Sequence, residues 1–266
     1  MRILHRTPDV LVVQTLAGEH FDKFHTDNPY GDFNMGLHVG DDARQVLQNR
    51  ALVLDELSKL ANQPISQIHW LNQVHGNQVK NTNEPLVLSA SNADAVISHK
   101  TGVGLSIMTA DCVPIVLYDQ NGQATACIHA GWQGLVNGVL AKTVEQLSLT
   151  ADSQLVGLIG ACISRQSYEV GLSLAERIVS EVVANDLVSL SADELTAQIV
   201  WRLDDEKALL DLVALTKLQL ARHQIKLIDT PIACSYQDSQ LYSYRAQTHA
   251  KQPATGRMAT IVVRLK

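Results

Sequence analysis

Short apolar runs separated by polar turn residues recur along the chain, and this pattern indicates β-strands. The runs are rich in valine and isoleucine, which favour a pleated sheet. Eight strands are predicted in this way: VLVVQTL (10–16), ISQIHWL (65–71), ADAVISH (93–99), VGLSIMT (103–109), PIVLYD (114–119), ATACIHA (124–130), LVGLIG (155–160) and MATIVVRL (258–265).

Apolar residues spaced three and four positions apart predict three helices, which lie mainly in the second half of the chain. They cover residues 135–148, 172–184 and 205–222, and the Asp204–Asp205 pair is the predicted N-terminal cap of the third. The chain has no internal repeat, low-complexity tract or long linker. We therefore expect one domain over residues 1–266 in the α/β class (mixed α and β), with a mixed sheet flanked by helices.

The composition narrows the classes of function. Apolar residues make up 46% of the chain, and the formal net charge is −6 without any cluster of lysine and arginine. Nucleic-acid backbones are bound by concentrated positive charge, so we expect no nucleic-acid partner. The N-terminal apolar run is too short to span a membrane and lacks the layout of a secretion signal, which predicts a cytoplasmic protein without a membrane partner. Four cysteines without a CxxC pair also suit a reducing compartment.

Side chains that can bind metals interrupt three of the apolar segments. His75 follows a predicted strand, Cys112 falls at a break between two strands, and His129 ends a strand before a glycine-rich turn. Thiolate and imidazole suit zinc, and three protein ligands leave one tetrahedral position open for substrate. An open zinc lowers the pKa of bound water to roughly 7 or polarises a substrate oxygen.

Other interpretations of these residues stay open at this point. The separations of 37 and 17 residues match no standard zinc motif, and isolated core histidines with a buried cysteine are more common. Cys112 and His129 are also a possible nucleophile and base of a cysteine hydrolase. On an extended chain Asp111 points away from that histidine and is a poor orienting partner for it. A non-catalytic metal-binding module would explain the ligands but not the open position.

Two further features suggest an anion site. The turn AGWQG (130–134) leads into a helix, where backbone N–H groups can bind an anion, although a tight strand-to-helix connection explains the glycines more simply. Arg245 and Arg257 flank one long loop near the C-terminus. Arginines there are usually solvated or paired, but two beside one loop can form a clamp for phosphate or carboxylate.

Seven motifs in a fixed order resemble the YfiH-like family, whose members are named both as laccase-domain polyphenol oxidoreductases and as purine nucleoside phosphorylases. The resemblance spans nearly the whole chain. The motifs are PYGDFNMGLHVGDD with NR (29–42 and 49–50), NQVHG (72–76), ADAVIS (93–98), TADCVPIVLYD (109–119), HAGWQG (129–134), IGACISRQSYEVG (159–171) and YSYR with TGRMA (242–245 and 255–259).

The resemblance implies that His75, Cys112 and His129 bind zinc. It also implies a single α/β domain that phosphorolyses adenosine, inosine and methylthioadenosine, with an accompanying adenosine deaminase activity. The partners are then a small nucleoside and phosphate. The sequence departs from the family at Gln133, where arginine is common, and at Ala161, where proline is usual. Gln133 removes a positive charge near the site.

Roles for other residues follow as hypotheses. Asp111 and Gln73 each lie within two residues of a ligand and are candidates for proton transfer; they are equally suited to orienting the ligands. The arginines predicted to bind phosphate are Arg245 and Arg257, and the NR motif adds Arg50. An aromatic wall for the purine is predicted at Tyr168 or Trp132.

The laccase name fails a simple chemical test. A four-copper oxidase needs about ten histidines, largely in HxH and HCH pairs, because each copper binds several imidazoles. This chain has 10 histidines in total and none of these pairs. We therefore reject a multicopper mechanism. Adventitious copper in the His/Cys/His site would account for a weak polyphenol oxidase activity.

Overall fold

Two mixed β-sheets lie face to face in the computed structural model, which describes residues 1–19, 21–24, 27–83, 91–147 and 149–265. The five-stranded sheet consists, from edge to edge, of β1 (Arg2–Arg6), β2 (Val10–Gln14), β14 (Met258–Arg264), β6 (Val103–Thr109) and β3 (Gln67–His69). The six-stranded sheet consists of β13 (Lys226–Leu227), β9 (Leu155–Ile159), β7 (Val113–Asp119), β8 (Thr125–Ala130), β5 (Ala95–Ser98) and β4 (Val79–Asn81). A small antiparallel sheet consists of β10 (Glu169–Gly171), β12 (Lys207–Leu210) and β11 (Val200–Arg202).

Helices cover the outer faces of both large sheets. The helices are α1 (Ala43–Ala61), α2 (Trp132–Val136), α3 (Val139–Gln146), α4 (Leu172–Ala184), α5 (Ala192–Ile199), α6 (Leu212–Arg222) and α7 (Tyr244–His249). Apolar residues of α1 pack on the five-stranded sheet, and those of α2, α3 and α6 pack on the six-stranded sheet. Helices α4 and α5 extend the same core by packing on α2, on α6 and on the small sheet. This confirms the predicted mixed α/β class. Within the described ranges, none of the helices is both long and apolar enough for a membrane crossing.

Strand β7 shows why the central strands are apolar throughout. Val113, Ile115 and Leu117 face the helices, whereas Val116 and Tyr118 face the five-stranded sheet. All seven residues of the strand are buried. A strand covered on both faces loses the alternation of apolar and polar residues and becomes a continuous apolar run. Each of the eight predicted strands overlaps a strand of the structure, although ISQIHWL (65–71) provides only the three residues of β3.

The predicted helices have different outcomes. The helix at 172–184 is confirmed with its bounds. Gly138, with a φ of 71°, adopts the left-handed conformation that separates α2 from α3. The predicted helix 135–148 therefore corresponds to the last two residues of α2 and to α3, and residue 148 lies outside the described residues.

The predicted helix at 205–222 is wrong in its first part. Asp204 accepts hydrogen bonds from the backbone N–H groups of Glu206 and Lys207, which makes a turn into β12 instead of a helix cap. The cap is Asp211, whose Oδ1 accepts a hydrogen bond from the N–H of Ala214 at 2.8 Å. Helix α6 therefore begins at Leu212.

Candidate metal centre

The chain crosses from one large sheet to the other between Thr109, the last residue of β6, and Val113, the first of β7. Asp111, at the crossing, has a φ of 108°, which is unfavourable for a residue with a side chain. Its carboxylate holds the crossing in place: Oδ1 accepts from the Ser235 hydroxyl at 2.6 Å, and Oδ2 accepts from the N–H of Arg245 at 2.7 Å. This backbone conformation positions the next residue, Cys112.

One histidine lies in the six-stranded sheet, and the other lies in the connection between the two large sheets. His129 lies in β8, and its side chain is buried. His75 lies in the turn between β3 and β4, with a left-handed φ of 59° and an exposed side chain. The imidazole rings of the two residues are 4.7 Å apart between centroids and inclined by 76°. They therefore meet edge to face beside Cys112.

The ligand atoms of His75, Cys112 and His129 all lie within 4.8 Å of one another, and Nε2 of His75 is 4.0 Å from Sγ of Cys112. The glycine that begins α2 makes room for them. A Cβ atom at Gly131 would lie 3.0 Å from Sγ of Cys112 and 3.4 Å from Cδ2 of His75. Nitrogen and sulfur donors at this spacing fit a tetrahedral metal such as zinc, with one position left for substrate.

A buried carboxylate supports both histidines. Oδ1 of Asp94 accepts a hydrogen bond from Nδ1 of His129 at 2.8 Å and from the N–H of His75 at 2.9 Å. Burial opposes ionisation of Asp94, but its hydrogen bonds to His129, Gly76 and His75 lower its pKa. Because the Nδ1–H group of His129 donates to this carboxylate, its Nε2 atom is left for the metal.

The charges in the cluster favour the ligand form of the cysteine. Burial opposes the Cys112 thiolate, but the positive charge and hydrogen bond of His129, together with the hydrogen bond of His75, lower the pKa of Cys112 to about 6. Burial likewise opposes protonation of His129, but the Cys112 thiolate and Asp94 raise the pKa of His129 to about 9. The thiolate, which is the form that binds metals, therefore predominates at neutral pH.

The three ligands open into a cavity of about 500 Å³, within the usual range for small-molecule sites. Its walls combine the ligands with arginines, aromatic rings and apolar side chains. The lining residues are His38, Gln73, His75, Met108, Thr109, Ala110, Asp111, Cys112, His129, Gly131, Trp132, Gln133, Ile163, Tyr168, Leu212, Tyr244, Arg245, Thr248 and Arg257. Tyr168 and Trp132 thus both reach the cavity, and so does the neutral side chain of Gln133.

Two of the three predicted arginines lie at the cavity. Nη1 of Arg245 donates to the carbonyl of Glu169 at 2.6 Å, and the guanidinium lies 5.1 Å from the centre of the Tyr168 ring. Nη1 of Arg257 donates to two neighbouring backbone carbonyls at 3.0 Å. The other guanidinium nitrogens of both residues have no hydrogen-bond partner among the described residues, so they can bind an anion.

Arg50 is placed differently. Its guanidinium donates to the carbonyl of Met35 at 2.7 and 3.0 Å and lies 4.2 Å from the centre of the Trp70 ring. The residue does not line the cavity. Its contacts connect α1 to the neighbouring loop, which favours a structural role over phosphate binding.

The predicted catalytic residues Asp111 and Gln73 line the cavity, but other groups occupy their polar atoms. The Asp111 carboxylate binds Ser235 and Arg245, as described above. The Gln73 amide accepts from the N–H of Met108 and donates to its carbonyl, both at 2.8 Å. These contacts favour an orienting role, and proton transfer by either residue stays a prediction.

Sequence reasoning missed Asp94 and His38. Asp94 is the acidic residue of the motif ADAVIS, and its position inside an apolar strand segment is the signal that could have identified it. His38 belongs to the motif PYGDFNMGLHVGDD and lines the cavity. Burial, with the nearby charges of Arg257 and Arg50, lowers the pKa of His38, so its imidazole is neutral at pH 7.

Comparisons with known proteins identify relatives that match most of the chain. A family model described as multi-copper polyphenol oxidoreductase laccase matches residues 23–265. A purine nucleoside phosphorylase of Pseudomonas aeruginosa is 32% identical over 235 residues, which cover 88% of this chain and 86% of that protein. The purine nucleoside phosphorylase YfiH of Escherichia coli is 32% identical over 236 residues, covering 88% and 87%. The crystal structure of the Neisseria meningitidis protein NMB0706 matches with a TM-score of 0.79 and 27% identity, covering 97% of both chains.

Proposed function

The chain belongs to the YfiH-like family, and on that premise we propose that it is a zinc-dependent purine nucleoside phosphorylase. Its proposed substrates are adenosine, inosine and methylthioadenosine, and adenosine deamination is a proposed second activity. One observation carries the proposal: three metal-ligand atoms within 4.8 Å open into a cavity that also contains two arginines. The names of the relatives supply the substrate class.

The residues of the site fit the metal. His75, Cys112 and His129 would hold it, and Gly131 leaves space that any larger side chain would fill. A zinc ion bound there supplies a Lewis acid for a water molecule or a substrate oxygen. Zinc is our choice over copper because the ligand set leaves a tetrahedral position open and the proposed reactions involve no electron transfer.

The arginines have a defined task in phosphorolysis. Inorganic phosphate must lie beside C1′ of the ribose, where it replaces the purine as the partner of that carbon. Arg245 and Arg257 line the cavity and are each fixed by backbone carbonyls through Nη1, which leaves their other N–H groups for phosphate in this proposal. Paired guanidinium groups bind phosphate oxygens in this way. In a chain with net charge −6, this local positive charge is needed to attract an anionic co-substrate.

The purine needs an apolar pocket that excludes water. Tyr168 and Trp132 offer flat aromatic surfaces at the cavity, and Ile163 and Leu212 add aliphatic ones. The guanidinium of Arg245 lies within cation–π distance of the Tyr168 ring. We place the base against these side chains and the phosphate against the arginines.

The test is incubation of the purified protein with adenosine, with and without phosphate. Adenine and ribose 1-phosphate should form only when phosphate is present, because phosphate is the attacking group. Inosine should form in both cases if the deaminase activity is present, since deamination requires only water. Cys112→Ala should lose zinc and both activities, whereas Cys234→Ala, which alters a second half-buried thiol outside the ligand set, should retain them. An active Cys112→Ala variant would overturn the proposal.

A second candidate, a cysteine-dependent amidase, is favoured by one specific contact. The Asp94–His129 hydrogen bond of 2.8 Å supplies the orienting carboxylate that Asp111 could not provide, so Cys112, His129 and Asp94 have the arrangement of a catalytic triad. Chelation distinguishes the two candidates because it abolishes a zinc enzyme and spares a thiol hydrolase. Cleavage of an amide substrate by the chelated protein, without any nucleoside turnover, would favour the amidase.

The copper alternative is limited by the number of ligands. Among the described residues, His75, Cys112 and His129 form the one group of three or more that could hold a metal ion. A four-copper oxidase needs several such groups. Copper in this single site would at most support a weak polyphenol oxidase activity, which should disappear when zinc replaces it.

A further inference from the structure

We propose that Asp94 is a positioning residue that joins two metal ligands, His75 and His129, in one hydrogen-bonded unit. Asp94 immediately precedes β5 and is completely buried. The proposal rests on the metal site of the proposed function but is independent of the substrate.

All the acceptor positions of the Asp94 carboxylate are occupied. Oδ1 accepts from the N–H of His75 at 2.9 Å and from Nδ1 of His129 at 2.8 Å. Oδ2 accepts from the N–H of Gly76 at 2.7 Å and from the N–H of Val74 at 3.3 Å. Each oxygen thus receives two donors, which is the full capacity of an ionised carboxylate.

These bonds act on the two ligands in different ways. For His129 they fix the tautomer, because an ionised carboxylate only accepts hydrogen bonds and so requires the proton on Nδ1. For His75 they stabilise the backbone: three consecutive N–H groups converge on Asp94 and hold the turn in which His75 has a φ of 59°. The left-handed conformation directs this imidazole towards Cys112.

Asparagine has nearly the same shape as aspartate but cannot reproduce both effects. With its oxygen at the Oδ1 position, its NH₂ group faces the N–H groups of Val74 and Gly76, and the turn that carries His75 is destabilised. In the flipped orientation its NH₂ group faces Nδ1 of His129 and requires the opposite tautomer, with a proton on the ligand nitrogen Nε2. Either orientation impairs one ligand.

The experiment compares the zinc affinities of the wild type, Asp94→Asn and the control Asp119→Asn by titration against a competing chelator. Asp119 is also buried, and its carboxylate also accepts backbone N–H groups, but it lies at the opposite end of β7 from Cys112. Asp94→Asn should bind zinc about 10- to 100-fold more weakly, the usual effect of losing a residue that orients a ligand. Asp119→Asn should bind like the wild type.

Equal zinc affinity of Asp94→Asn and the wild type would overturn the proposal, whereas wild-type protein that binds no zinc would overturn the metal site itself. A spectroscopic measurement on the wild type covers the case in which Asp94→Asn does not fold. Nitrogen-15 NMR of the zinc-loaded protein should show His129 protonated at Nδ1 and bound through Nε2, with a slowly exchanging Nδ1 proton. Binding through Nδ1, or rapid exchange of that proton, would show that Asp94 does not position His129.

Discussion

Gly131→Ala adds one methyl group, and the nearest neighbours of that group are the proposed metal ligands Cys112 and His75. Gly131 has φ −70° and ψ 170°, a conformation that alanine adopts without strain. The new Cβ would lie 3.0 Å from Sγ of Cys112, where ordinary contacts are about 3.5–4.0 Å. The sulfur would therefore have to move by roughly 0.5–1 Å, whereas metal sites tolerate deviations of about 0.2 Å. We expect zinc affinity to fall about 10- to 100-fold, or about 1.4–2.8 kcal/mol.

The effect on folding should be small. Alanine is a poorer N-cap than glycine, which lowers the free energy of unfolding by about 0.5–1 kcal/mol. Alanine also reduces the conformational entropy of the unfolded chain, which raises the free energy of unfolding by about 0.4–1 kcal/mol. Gly171→Ala is the matched control, because Gly171 also begins a helix in an extended conformation and a Cβ there has no neighbour closer than 3.9 Å. Zinc competition titrations give the zinc affinity, and urea denaturation of the metal-free proteins gives the free energy of unfolding. If Gly131→Ala bound zinc as tightly as Gly171→Ala, the assignment of Cys112 and His75 as ligands would be refuted.

Three further predictions concern phosphate binding and stability. Arg257→Ala should raise the KM for phosphate about tenfold or more, because a charge-assisted hydrogen bond is lost, whereas Arg50→Ala should leave this KM unchanged in steady-state assays. Tyr242→Phe should lower the free energy of unfolding by about 1–3 kcal/mol in urea denaturation, since the buried hydroxyl shares its one proton between two loop carbonyls that would lose their partner. Burial opposes ionisation of Asp119, but hydrogen bonds from the surrounding loops lower its pKa below the ordinary 3.8. Its contribution to stability is therefore complete above that value and is lost as the pH falls through the lower folded-state pKa, so Asp119→Asn should flatten the acid side of the stability profile.

The accuracy of the strand predictions has a physical origin. The central strands are buried on both faces, so their apolar runs end where the strands end. The spacing of apolar residues does not predict helix α1, because the surface of this helix breaks the helical pattern. Leu47 and Leu52 are more than half exposed, while the buried Asn49 donates to the carbonyl of Asn34. A periodicity of apolar residues cannot identify a helix whose buried face includes an amide and whose exposed face includes leucines.

The residues of the candidate site also fall into two groups, those that the sequence identifies and those that it does not. His75, Cys112 and His129 could be proposed from the sequence because each interrupts or ends an apolar run, which is the position expected of a functional side chain. Asp94 could not be given its role, since its partners lie 18 to 35 residues away and are brought together only by the pairing of β5 with β8 and the turn after β3. Long-range pairing of this kind has no local signature.

The position of Cys112 at the crossing between the two large sheets has a consequence for the order of folding and metal binding. Cys112 lies between the two large sheets and His129 within one of them, so the binding site exists only after both sheets have formed and packed together. Small zinc domains, in contrast, need the ion in order to fold. We therefore expect the ion of the proposed site to bind after folding, without directing the choice of fold. Sites with nitrogen and sulfur ligands bind Cu²⁺ more tightly than Zn²⁺, so the supply of metals in the surroundings selects the occupant. Preparations of one chain from different growth media should then differ in metal content while sharing one structure.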